Sequence, residues 1–308
     1  MRWLSLLFRC CLLSLFGLSP VQGIAAQRCV TDDAQQTLCL TAPAQRIATL
    51  SPGATELMFA AGAGDLVIAG VNHSDYPPAA QKLPLVGNHT RIDLEALLAL
   101  QPDLIITWVS GNPPAQISRL QALGLPIFSI EPRTFEGVSS AIERLSVLAG
   151  TEPAGFAEAE RFRQAMQQLA EQYQAATPVS VFYQVWETPL MTINNQHLIG
   201  KVLKLCGGEN LFADQPRLVP RISPEAVLEK NPQVIITGAV EQLPANQLDH
   251  WQRYPKLRAV AEHNLLYTPA SPISRPTPRL LEAARDICQQ LDQVRSKTHA
   301  PTHSATGH

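Results

Sequence analysis

Apolar positions in this chain follow two rhythms, helical and extended, and one stretch that joins them occurs twice. Residues 93–107 read DLEALLALQPDLIIT and residues 223–237 read SPEAVLEKNPQVIIT, the second copy lying 130 positions after the first. In each copy a polar N-cap (Asp93, Ser223) and a first-turn carboxylate (Glu95, Glu225) predict the start of a short helix. Pro102 and Pro232 end that helix, and the unbroken apolar runs 104–106 and 234–236 predict strands buried on both faces of a parallel sheet. So long an interval is unlike a solenoid repeat and predicts two similar lobes.

The rest of the pattern fills in around these copies. Arg46 to Leu50 predicts a strand, Ser51 and Pro52 the cap and first residue of a helix, and Gly62 its stop. Gly62-Ala63-Gly64 follows a helix rather than a strand and lacks a third glycine, so it is a helix end and not a dinucleotide loop. Val67 to Val71 predicts a second strand, running into the polar loop 72–78; Ala115 to Leu123 predicts a helix, and Pro126 to Ile130 the last strand of the lobe. Helical spacing then runs from Phe135 to Gly150 and from Glu152 to Ala175; the latter, about 24 residues, would span roughly 36 Å. A second lobe opens with the strand Val179 to Val185, continues through a helix at His197 to Leu205, and closes with a helix from Pro278 to Gln293. The expected fold is α/β: two Rossmann-like lobes with central β-sheets joined by one long rigid helix. Its expected divisions are an export signal (1–26), an N-terminal lobe (27–150), the linking helix (151–176), a C-terminal lobe (177–295) and a disordered tail (296–308).

Composition agrees. A chain of 308 residues that is 45% hydrophobic can bury two cores. A net charge of −2, with no basic run beyond the first residues, leaves no electrostatic footprint for nucleic acid. The N-terminus places Arg2 and Arg9 around an apolar stretch from Cys10 to Leu18, followed by Gly23, Ala25 and Ala26, the pattern of a cleaved export signal too short to span a bilayer. Cys10 and Cys11 would leave with it. Cys29, Cys39, Cys206 and Cys288 remain in an oxidising compartment, and of their three possible pairings the expected one is Cys29–Cys39 with Cys206–Cys288.

Candidate chemistry concentrates after strands, where loops of α/β sheets meet ligands. Pro52 and Gly53 sit at a strand-to-helix turn, His73 and Tyr76 in the loop after the second strand, His89 in the loop before the repeated helix, and Trp108 directly after a buried strand. Trp186 occupies the matching place in the second lobe, and Arg275 lies in the loop before the closing helix. His197, His250 and His263 show no pairing, and no metal site is expected. There is no Gly-x-Ser-x-Gly elbow, Walker loop or His-Glu-x-x-His motif, which leaves an exported enzyme as the weaker alternative class.

Several phrases together carry a resemblance: Thr49-Leu50-Ser51-Pro52, Ser74-Asp75-Tyr76-Pro77-Pro78, Asp93-Leu94-Glu95, Gln101-Pro102-Asp103-Leu104 and Cys206-Gly207-Gly208-Glu209-Asn210. From about Arg46 to Leu291 the chain resembles the periplasmic cobalamin-binding proteins of ABC importers. The first and third phrases are also shared with haem- and siderophore-binding relatives. The resemblance implies a monomeric periplasmic protein that takes up a corrinoid between its lobes, needs no cofactor of its own, and presents Glu95 and Glu225 to arginines of a membrane permease. It also implies ligand contacts at His73, His89 and Val219, where the family tends to carry aromatic side chains.

Overall fold

The computed structural model describes residues 27–240 and 245–299; the expected export signal and residues 300–308 of the expected tail lie outside the described residues. The described chain opens with a hairpin, β1 (Arg28–Thr31) and β2 (Thr37–Leu40), in which Cys29 faces Cys39 across the ladder and is bonded to it. The Asp32-Asp33 turn of this hairpin is tied to the lobe behind it. Asp32 and Asp33 carboxylates accept from the Ser129 and Glu131 backbone N–H groups, and Arg144 donates to Asp33.

Lobe one is built from β3 (Ile47–Thr49), α1 (Pro52–Ala60), β4 (Val67–Ala69), a small β5–β6 hairpin (Gly87–Asn88, Arg91–Ile92), α2 (Leu94–Ala99), β7 (Leu104–Trp108), α3 (Pro114–Ala122) and β8 (Ile127–Ile130). Its parallel sheet has the order β4-β3-β7-β8. Then come α4 (Phe135–Ala149) and α5 (Glu152–Tyr173). Lobe two contains β9 (Val179–Gln184), α6 (Leu198–Leu205), β10 (Gly208–Asn210), α7 (Pro224–Lys230), β11 (Val234–Ala239), α8 (Arg258–Ala261), β12 (Leu265–Pro269), α9 (Ala270–Ser274) and α10 (Leu280–His299). Its sheet runs β10-β9-β11-β12, all parallel. The first strand of each lobe is flanked by the second and the third, and the fourth lies beyond the third. The sequence echo is therefore a repeat of topology.

The caps act as their residue types require. Ser51 accepts from the Ala54 N–H, Asp93 from Ala96 and Ser223 from Ala226, each satisfying one orphan donor of its helix. Gly62, at φ +75°, takes the left-handed position that ends α1.

Burial explains the apolar runs. On β7, Leu104 and Ile106 enter one core while Ile105 enters another; on β11, Val234 and Ile236 face one way and Ile235 the other. One face of each sheet shares a single continuous core with α4, α5 and α10, and each lobe has its own smaller core on the opposite face, under α2 and α3 in lobe one and α7 and α8 in lobe two. Two separate cores, as length and composition suggest, is thus not the arrangement. On α5 the buried positions are Gly155, Ala159, Phe162, Met166, Leu169 and Tyr173, alternating steps of four and three that keep one stripe inward over about 27 Å. At Gly155 α5 lies close against α4: a Cβ there would lie 2.3 Å from the Ser146 Cβ. Cys206, at the end of α6, is bonded to Cys288 on α10.

The closing helix runs on to His299, beyond the tail boundary expected at 295. Its last turns have partners: Val294 is buried, Arg295 donates to the carbonyls of Thr177 and Cys206, and Lys297 reaches the Asn264 side chain. Polar composition alone hid these contacts. Among the described residues no helix is long and apolar enough to cross a membrane.

Candidate ligand-binding site between the lobes

In an open parallel sheet the chain moves to one side after its first strand and to the other before its third, leaving a crevice at the C-terminal ends of those two strands. Both lobes are hollow there. In lobe one, a cavity of about 280 Å³ is lined by residues 51–54 after β3, by His73 and His89, by Trp108 at the end of β7, by Ile130 at the end of β8 and by Pro132 beyond it. Its far wall, Ser274, Arg275 and Pro276, comes from lobe two, so the cavity lies between the lobes. In lobe two, a hollow of about 460 Å³ is lined by Gln184 to Thr188 after β9 and by Thr237, Gly238 and Val240 at the end of β11. A wider groove of about 700 Å³ runs along the shafts of α5 and α6, away from the C-terminal ends of the strands.

The lobe-one wall is held by polar side chains that never reach the cavity. Asn112, 4% exposed, donates to the carbonyls of Leu50 and His89 and accepts from the Trp108 N–H, pinning three segments of the wall at once. The His89 and Trp108 rings consequently lie 5.7 Å apart, inclined at 44°. Thr55 bridges Thr49 and Ser74 by hydroxyl contacts of 2.7 and 2.9 Å, fastening α1 to the loop that carries His73. His73 sits at φ +69°, a conformation that costs a non-glycine residue of order 1 kcal/mol. Ser74 closes the turn by accepting from the Val71 N–H, and Arg275 donates to the His73 carbonyl.

Arg275 spans the lobes. Its guanidinium donates to Glu56 and Asp75, each at 2.7 Å, and to the His73 carbonyl at 3.0 Å. Burial opposes the charge on Arg275, but the bonds to Asp75 and Glu56 outweigh it and raise its pKa. Asp75 is likewise penalised by burial yet held below the usual carboxylate range by Arg275. Glu56, its side chain 2% exposed, also accepts from the Thr277 hydroxyl at 2.7 Å and from Arg279 at 3.4 Å. A first-lobe carboxylate thus receives three second-lobe donors.

Of the residues singled out by sequence, Pro52, Gly53, His73, His89, Trp108 and Arg275 line the one cavity, and Trp186 lines the lobe-two hollow with its ring exposed. Tyr76 and Val219 line neither. Tyr76 turns away from the cavity, its ring centre 4.1 Å from the Arg279 guanidinium carbon, and Val219 packs half-buried against the shared core. The lobe-one wall is thus aromatic and imidazole-rich and the lobe-two wall is sparse. Glu95 and Glu225 stand exposed in the first turns of α2 and α7; the Glu225 backbone N–H and the Ser223 hydroxyl hold the Glu225 carboxyl below its ordinary range. Sequence reading missed Glu56, Asn112 and His197. Asn112 alone left a signal, in the Gly111-Asn112-Pro113-Pro114 turn directly after the buried strand. Among the described residues no cluster of three or more His, Cys, Asp or Glu side chains could hold a metal ion.

Three comparisons with known proteins agree with this geometry. The family described as periplasmic binding protein matches residues 47–272. The vitamin B12-binding protein of Vibrio cholerae serotype O1 is 40% identical over 249 residues, 81% of this chain and 90% of that protein. The vitamin B12-binding protein of Yersinia pestis is 36% identical over 295 residues, covering 95% and 99%. The crystal structure of the periplasmic vitamin B12 binding protein of Vibrio cholerae superposes with a TM-score of 0.74 at 40% identity, over 82% of this chain and 98% of that one. The chain belongs to the periplasmic binding protein family, and within it is similar to the vitamin B12-binding proteins.

Proposed function

We propose that this chain is an extracytoplasmic solute-binding protein that takes cobalamin or a related corrinoid between its lobes and delivers it, unchanged, to an ABC importer. The observation that carries the proposal is the between-lobe cavity at the switch point, walled by Trp108, His89 and His73 and closed by Arg275 from the other lobe. A flat macrocycle presents a large face to such rings, and its polar arms meet the loops around them. A corrin with its arms exceeds either hollow alone, so both lobes contribute. Similarity at 40% identity to a vitamin B12-binding protein supports the same ligand class. Periplasmic location, the permease as partner and a monomeric state follow from the same reading.

Calorimetric titration of the purified chain with cyanocobalamin, dicyanocobinamide, hemin and ferrichrome tests it. One equivalent of cyanocobalamin is expected to bind, quench tryptophan fluorescence and be recovered chemically intact. Absence of corrinoid binding with clear uptake of hemin or ferrichrome would replace the ligand with that of the family's haem or siderophore branch.

A further inference from the structure

A side pocket of about 120 Å³ shares Trp108, Pro132, Ser274 and Pro276 with the between-lobe cavity and extends toward the start of α6. Its polar lining is Glu131 and Arg133 from lobe one with Gln196 and His197 from lobe two. His197 is the N-cap of α6, and its Nδ1 accepts from the Ile199 N–H at 3.2 Å. An accepting Nδ1 carries no proton, so the neutral ring carries it on Nε2, and that N–H has no protein acceptor among the described residues. Glu131 lines the same pocket and is held in place: its carboxylate accepts from the Ser110 N–H and hydroxyl at 2.9 and 3.0 Å, and lone pairs remain. Arg133 lies 3.7 Å from Glu131 with its side chain largely in solvent.

We infer that this side pocket is a carboxamide subsite, in which the His197 Nε2–H donates to the carbonyl of a ligand's amide arm and Glu131 accepts from the amide NH2. The inference rests on the reading of the cleft as a corrinoid site, since corrinoids bear carboxamide arms, and it names the residues that choose among ligands. Burial, and secondarily Arg133, push the His197 ring down to about 4, so it keeps this tautomer at neutral pH. The charged groups lining the pocket with it are Arg133 and Glu131, and the other pocket residues carry no charge. A haem propionate would instead bring a carboxylate against Glu131.

The test replaces His197 by Asn, which retains a capping oxygen but whose amide stops short of the Nε2 position. Affinities of wild type and His197→Asn for cyanocobalamin, dicyanocobinamide and hemin are measured with the melting temperature of each protein. Loss of one hydrogen bond predicts about fivefold to tenfold weaker binding of both corrinoids and no loss for hemin. As a measurement independent of the variant's folding, nitrogen-15 spectra of wild type follow the His197 ring, whose Nε2-bound proton is expected to shift when cyanocobalamin is added. If wild type binds cyanocobalamin while the variant binds it equally well, or the ring signal stays in place, the subsite is overturned and the corrinoid reading stands. If wild type binds no corrinoid, both fall.

Discussion

Glu56 lies inside a helix of the first lobe, yet its carboxylate is spent on the second. Three donors, from Arg275, Arg279 and Thr277, converge on it in a nearly dry environment. Removing Glu56 takes the acceptor from Thr277 and Arg279 and leaves Arg275 with Asp75 and the His73 carbonyl, and breaking a buried ion pair in this way costs about 3–5 kcal/mol. Glu56→Ala is therefore expected to lower unfolding stability by that amount in urea titration, whereas Glu95→Ala, at an exposed helix start, is expected to change it by less than about 1 kcal/mol. His197 makes a pH prediction of opposite character. Its folded pKa of about 4 lies below the ordinary histidine value of 6.5, so between those values the unfolded chain binds a proton that the folded chain refuses. Stability then falls as pH drops through this window, by up to roughly 3 kcal/mol at its lower end. His197→Asn should show a correspondingly flatter stability profile from pH 6.5 to 4, and an unchanged profile would show that the ring is free to charge in the folded protein.

At the scale of elements, stability is concentrated where helices close long loops. The Cys206–Cys288 bond joins α6 to α10 across 82 residues, and constraining a loop of that length removes about 4–5 kcal/mol of unfolded-state entropy. The Cys29–Cys39 bond closes a separation of 10 and is worth about 2–3 kcal/mol on the same footing. Replacing Cys206 and Cys288 by Ser is expected to lower the urea midpoint more than replacing Cys29 and Cys39, and the reverse order would overturn the loop-length argument here. The repeated helices α2 and α7 behave as their shared pattern suggests: each is capped by the expected residue and feeds the strand that borders the hollow of its lobe.

For the whole molecule, the decisive feature is the core shared by both sheets through α4, α5 and α10. Lobes fastened to one core, with Arg275 clamped across them, are expected to close by small adjustments rather than wide swings. Under the proposed function, a permease would read charges already in place on the two lobes. Glu95 and Glu225 occupy equivalent exposed turns, one per lobe, so the double variant Glu95→Lys, Glu225→Lys should bind cyanocobalamin as wild type does and fail to support its uptake in cells, each single change being intermediate. Unimpaired uptake by the double variant would reduce both glutamates to complements of their helix dipoles.

Much of this was legible in order along the chain because its causes are local. Apolar runs with period-independent burial marked the parallel strands, caps and prolines marked helix limits, and the echo of Asp93–Thr107 in Ser223–Thr237 marked the duplicated lobe. Loops after strands disclosed Pro52, Gly53, His73 and Trp108 for the same reason: a parallel sheet fixes where such loops end, whereas His89 lies in the turn of the antiparallel β5–β6 hairpin. What sequence could not supply depends on which surfaces meet. Tyr76 reads like its neighbour His73 but turns to Arg279, 203 positions away, because a cation was available on that side. Glu56 reads as an ordinary helical carboxylate until residues 275–279 close over it, and His197 as an unpaired histidine until lobe one brings Glu131 and Arg133 to the same pocket. Local propensity is set by neighbours in the chain, and so the sequence by itself determined the elements and the doubling. Burial and ionic partners are set by neighbours in space, and only the tertiary structure decided those.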